Sequence, residues 1–275
     1  MIRHSSVRVG RNALFVAGCF AFLWQCASHT RLPPEVRAGI DTRHKNAVVE
    51  LRHSHFYGEL YDENEKWLLS PYPFADTYHI VDTEGQPIHP RGQRGIIPAG
   101  TRFIVQQIEF PDTTAMARRM LTTPRYNPWV YLVPAPETGI SLEGRGAFIL
   151  LLPMDLETEA GTEEAIARVF APLGEVSTWL ASRRPTVRVA IEHKDVVAGM
   201  SQDELVAALG APQLWFGENG GTATKVAWYT SREVWLVDGI VTEVKPGRPV
   251  DVPPTEKLSP EATRRVAHIT AVAAR

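Results

Sequence analysis

The sequence predicts an α+β protein: a small, strongly bent antiparallel sheet or barrel, followed by a compact unit ordered α-α-β-β-β. Three observations carry this. Runs rich in β-branched and aromatic residues, bounded by Gly or Pro, recur between residues 78 and 153. A helical apolar period follows from Thr162. A short capped helix at 201–209 then leads into three strand-like runs. At 275 residues, 22% charged and 44% hydrophobic, the chain can bury one or two ordinary cores.

Arg3, Arg8 and Arg11 precede an apolar run from Ala13 to Trp24, and no acidic residue occurs before Glu35, the layout of a secretion signal over 1–25. The run is short for a spanning helix, so no transmembrane helix is expected in the mature chain. Its removal takes three arginines from 29 basic side chains and none of 31 acidic ones, leaving about five net negative charges. That balance argues against a nucleic-acid partner, whose binding rests on basic clusters. Both cysteines, Cys19 and Cys26, lie within or beside this leader, so the secreted body has no internal disulfide and holds by packing. The arrangement resembles a bacterial lipoprotein leader. Cys26, after Leu23-Trp24-Gln25, leaves a full-length apolar stretch ahead and a polar exit. Cys19, after Val16-Ala17-Gly18, is the better local match and the alternative. Lipidation at Cys26 implies a membrane anchor, and Ser28 two places later resembles outer-membrane retention.

Residues 26–47, with Pro33-Pro34 and mixed charge, read as a tether. The next region, 48–155, holds the expected strands at 78–83, 100–110, 127–134 and 146–153, with an insertion over 112–127. Pro98-Ala99-Gly100-Thr101 followed by Arg102-Phe103-Ile104-Val105 resembles the turn and strand of bacterial SH3-like domains, which implies a small β-barrel; a plain antiparallel sheet remains the alternative. From Thr162 to Arg184, Val169, Leu173, Val176 and Leu180 share a helical face, with Pro172 and Gly174 dividing it into a kinked helix or two short ones. Residues 186–192 (TVRVAIE) alternate as a strand does, closing a connector over 156–192.

The unit at 193–245 opens with Val196, Val197 and Met200 as core residues. Ser201 and Glu204 form a capping-box pair, Leu205 and Leu209 share a face, and Gly210 and Pro212 stop the helix. KVAWYT, REVWLVDG and IVTEVK read as three strands, with Asp238-Gly239 as a tight turn. Val197-Ala198-Gly199-Met200-Ser201, Glu204-Leu205, Leu209-Gly210-Ala211-Pro212, Trp228-Tyr229 and Val237-Asp238-Gly239-Ile240-Val241 resemble the signature of the BamE, or SmpA/OmlA-like, outer-membrane lipoprotein domain. The resemblance implies an envelope protein, lipid-anchored and facing the periplasm, that works through surfaces rather than chemistry. Residues 246–275 read as a proline-rich arm and a helix from about 260 to 272, capped by Ser259 and carrying Val266, Ile269 and Ala273 on one face.

Candidate sites are few. His53 and His55 would share one side of a strand, with His79 or His89 as further imidazoles, but zinc needs three or four ligands and no spacing supplies them; no metal is expected. The pairs Asp62/Glu63 and Glu163/Glu164 lie in a polar turn and a helix start, where charge needs no catalytic role. Ser54, Ser70, Ser141, Ser177 and Ser231 lack a nucleophile context, so no catalytic residue and no cofactor is assigned. Trp215-Phe216, two adjacent aromatics read as a loop ahead of GENGG, are the candidate protein-binding residues. The expected function is a noncatalytic scaffold or adaptor for an envelope protein. A peptidoglycan-binding protein, or a cell-wall or small-molecule hydrolase carrying the same module, is the alternative.

Overall fold

The computed structural model describes residues 30–217 and 224–247; Cys19, Cys26 and the expected helix near 260–272 lie outside the described residues. The first described element contradicts the tether. Pro34–His44 is a helix, α1, because Pro34 occupies its first turn, Glu35 suits its positive end and Arg43 and His44 its negative end. Its Ile40 is fully buried against the sheet. Arg43 and His44 reach across to Glu163, and Arg43 also to Glu159, on a later helix.

The sheet below it is built from β1 (Val48–Leu51), β2 (His55–Leu60), β3 (Glu63–Ser70), β6 (Gln93–Ile97), β7 (Arg102–Glu109), β8 (Trp129–Pro134), β9 (Ala147–Leu151) and β10 (Phe170–Pro172). Strand order is β10-β1-β7-β8-β9-β3-β2-β6. Among the described residues no sheet closes into a barrel, and the pairing of β3 with β9 is parallel, so neither the barrel nor a purely antiparallel sheet is formed. Phe103, Val130, Leu132, Phe148 and Leu150 carry the main core. Leu60, Leu68, Phe74, Trp129 and Ile149 form a second cluster.

Two excursions interrupt the sheet. The strand expected at 78–83 shrinks to β4 (Ile80–Val81), paired with β5 (Pro87–Ile88), because the Asp82 carboxylate accepts from the amides of Glu84 and Gln86 and turns the chain early. The 112–127 insertion holds a short helix, α2 (Thr113–Arg118), capped by Asp112.

The connector departs from its pattern in two places. α3 (Glu159–Val169) starts ahead of Thr162 because Thr158 caps it. The break before α4 (Glu175–Ala181) is itself a strand, β10, paired with β1. Residues 186–192 are not a strand but most of α5 (Pro185–Glu192). Pro185 opens it, Val187, Ala190 and Ile191 are buried at helical spacing, and Val189, which a strand would have put beside them, is 54% exposed.

The helix pair of the last unit is therefore α5 with α6 (Gln202–Leu209), not a pair beginning at 193. The Ser201 hydroxyl accepts from the Glu204 amide and the Glu204 carboxylate from the Ser201 amide. Both helices pack on a meander of four strands rather than three: β11 (Leu214–Gly217), β12 (Thr224–Tyr229), β13 (Arg232–Val237) and β14 (Ile240–Pro246), in that order. Asp238 (φ 50°) and Gly239 (φ 76°) both take the left-handed region that a two-residue hairpin turn demands. Among the described residues no helix is long and apolar enough to cross a membrane.

Candidate functional site

β11 places the two predicted binding residues in a strand, not a loop. Successive strand residues face opposite sides. Trp215 stands opposite Ala227 and packs on the core beneath α5 and α6, while Phe216 points to the outer face opposite Val226. The two aromatics thus have separate roles: Trp215 anchors the strand, and Phe216, 47% exposed, is presented with Leu214, 40% exposed, on the same side. Among the described residues β11 is the edge of its sheet, paired through β12 alone. An open edge with apolar side chains beside it is a template for added chain. Across the same outer face lie Trp228 and Trp235, the latter with the Lys245 ammonium 4.3 Å from its ring centroid.

A second feature is the seam between the two layers. Ser54, in the link from β1 to β2, donates its amide to Ala207 O (2.9 Å) and its hydroxyl to Ile191 O (2.6 Å), and accepts from the Ala99 amide (2.9 Å). Lys194 answers from the other side. Its buried ammonium donates to Ser54 O (2.6 Å) and to Ala208 O (3.0 Å), at the negative end of α6. Burial, reinforced by Arg232, lowers its pKa from the ordinary 10.5 to about 7. Gly210, at φ 84°, lets the chain pass Pro71, whose Cβ would lie 2.9 Å from an added Cβ.

The histidines do come together. His53, His55 and His79 line one cavity of about 260 Å³, with Ser70, Tyr72, Thr77 and Asn127 among its walls. His89 lies apart, its Nδ1 3.0 Å from Thr77 O. The His53 and His55 rings stack with centroids 4.5 Å apart, and His55 Nδ1 donates to His53 O (2.8 Å). Burial, with the neighbouring Lys194 and Arg52 charges, lowers His53 to about 3; burial alone lowers His79 to about 4; burial, His53 and Lys194 hold His55 well below its ordinary value. All three are neutral and weakly basic, unsuited to proton transfer near neutral pH.

Among the described residues, the hydroxyls nearest these histidines are already engaged in hydrogen bonds. Ser70 Oγ donates to Tyr72 O (2.8 Å), and the Tyr61 hydroxyl is bonded to His79 Nδ1 (2.9 Å). Among the described residues no three His, Cys, Asp or Glu side chains converge to hold a metal. Glu163 is engaged by Arg43 and His44, and Glu164 by Arg168. No family model, no curated protein and no solved structure matches the chain. Function is therefore read from its own geometry.

Sequence reasoning passed over Lys194 and weighed Ser54 only as a nucleophile. Neither stands in a motif, and the bonds that give them a role join residues 140 positions apart. Glu50 is a third. Its carboxylate is fully buried in β1, yet accepts from the Val176 and Ser177 amides and the Ser177 hydroxyl at the start of α4, and pairs with Arg102.

Proposed function

We propose that the chain is a noncatalytic, lipid-anchored protein of the bacterial cell envelope that serves as an adaptor, docking an envelope protein on the free edge at β11. The observation that carries this reading is the division of labour at that edge, where a half-buried Trp215 fixes the strand while Phe216 and Leu214 stand exposed on the outermost strand of the sheet among the described residues. Two short helices laid over a meander, with the capping box and the Asp238-Gly239 turn in their motif positions, support a BamE-like reading of the last unit. The leader supports anchorage at Cys26, with the outer membrane facing the periplasm as the location. The histidine cavity adds a pocket but no acid, base or nucleophile suited to hydrolysis.

The test is reciprocal capture from detergent-solubilised membranes, comparing wild type with Phe216→Ser. A partner recovered in both directions with wild type and lost at least tenfold with the variant is the expected result. Equal capture by the two proteins, or isolation of wild type as a lone monomer under mild conditions, would overturn the adaptor reading.

A further inference from the structure

The most exposed large apolar side chain among the described residues is not on β11. Leu121 is 82% exposed at the tip of the segment joining α2 to β8, with Met120 at 48% and Tyr126 at 45% beside it. The segment is held from within. Arg119, 5% exposed, donates to Arg125 O and Asn127 O (2.8 Å each) and to the Glu109 carboxylate, and lies 4.1 Å from the Trp129 ring centroid. Met120 O accepts from the Thr123 amide and hydroxyl, Thr123 O from the Arg125 amide, and Pro124 O from the Asn127 amide and Trp129 Nε1. The tip therefore presents apolar side chains on a segment braced at its base through the carbonyls of Met120, Thr123, Pro124, Arg125 and Asn127.

Position supplies the second half of the case. Pro34, Arg37 and Ala38 of α1 line the same cleft, about 300 Å³, as Thr114, Ala115 and Arg118 of α2, so the start of α1 and the base of this loop share one side of the molecule. Thr30, the first described residue, stands four positions after Cys26, a reach of at most about 14 Å. Arg118, with 65% of its side chain exposed, stands at the root of the loop. Apolar residues flanked by arginine and tyrosine suit the headgroup boundary of a bilayer.

We propose that residues 119–127 form a membrane-contacting tip that lays Met120, Leu121 and Tyr126 into the headgroup boundary of the bilayer carrying the chain's N-terminal anchor. The proposal rests on the anchored-envelope reading above. Three side chains offer far less area than the roughly 800 Å² per partner of a stable protein interface. As an addition to an existing lipid anchor they suffice to orient the body, because one anchor point leaves rotation free.

Hydrogen exchange followed by mass spectrometry tests this on the chain isolated from its own membrane fraction, with and without vesicles of phosphatidylethanolamine and phosphatidylglycerol. The peptide covering 119–127 should exchange at least fivefold more slowly on vesicles. The peptide around Leu173, which is 54% exposed elsewhere, should not change. A Met120→Asp/Leu121→Asp variant should lose the slowing while keeping its acyl mass and its near-ultraviolet circular dichroism. No slowing at 119–127 on vesicles, slowing that survives the double substitution, or slowing caused by a co-purified protein without vesicles would each overturn the proposal. Intact mass reports the anchor separately, so a chain without acyl groups sinks the anchorage reading while the vesicle comparison still decides the tip.

Discussion

Replacing Lys194 by Met removes the buried cation while keeping its length and its left-handed backbone (φ 53°), so the change in pH dependence isolates one group. Its pKa is lowered from 10.5 to about 7 in the folded chain, chiefly by burial. Between those values the unfolded chain binds one proton more than the folded one. Stability therefore rises with pH by about 1.4 kcal/mol per unit from this group, and the penalty of the buried charge is fully present below pH 7. From pH 7.5 to 9.5 the wild type should gain about 2 kcal/mol relative to Lys194→Met, which has nothing to titrate there. Urea unfolding of both proteins at pH 7.5, 8.5 and 9.5 reads the difference directly. Parallel profiles within about 0.5 kcal/mol would show that Lys194 keeps an ordinary pKa, and would refute the buried seam built around Ser54 O and Ala208 O.

Glu50→Gln should destabilise by about 3 kcal/mol: the amide oxygen can keep the Val176 and Ser177 amides, but the NH2 in place of the second carboxylate oxygen cannot accept from Arg102, and the buried charge that pairs with it is lost. Burial pushes the Glu50 carboxyl up, but the Ser177 bonds and Arg102 outweigh it and leave its pKa below the usual value; its stabilisation, present above the unfolded pKa, should fade as acid titrates the folded group, and the acid limb of the unfolding profile should flatten in the variant. Ser201→Ala removes the hydroxyl that accepts from the Glu204 amide while leaving the backbone amide that donates to the Glu204 carboxylate, and should cost about 1 kcal/mol in urea unfolding, with α6 amides exchanging first. Gly210→Ala meets a positive φ and the Pro71 side chain together and should cost about 2 kcal/mol, whereas Gly174→Ala, with open space around it, should cost only the backbone term of about 1 kcal/mol.

Elements whose signals are local were legible in the sequence. The capping box at Ser201 and Glu204, the Asp238-Gly239 turn and the runs at 100–110, 127–134 and 146–153 each depend on neighbours a few positions away, and each stands close to where its pattern placed it. Where two periods compete, the pattern misled. TVRVAIE alternates, yet Pro185 and the burial of Ala190 favour a helix, and tertiary packing decides between them. β10 was hidden because Phe170-Ala171-Pro172 is too short to announce a strand; it exists because β1 needs an edge partner. Trp215 and Phe216 were recognisable as unusual neighbours, but only strand pairing separates the anchor from the exposed ring. His53, His55 and His79 were recognisable as a group of imidazoles, but the cavity that joins them and the Ser54–Lys194 seam form between distant parts of the chain, and no spacing announces either.

Intact-mass measurement of the protein isolated from its membrane fraction tests the anchored-adaptor account most directly. The account predicts a chain that begins at Cys26, carries acyl mass on that residue, and loses both the acyl mass and the membrane association in Cys26→Ala. An unprocessed or unacylated wild-type chain recovered from the soluble fraction would contradict the account, and acyl mass lost in Cys19→Ala but retained in Cys26→Ala would move the anchor to the earlier cysteine.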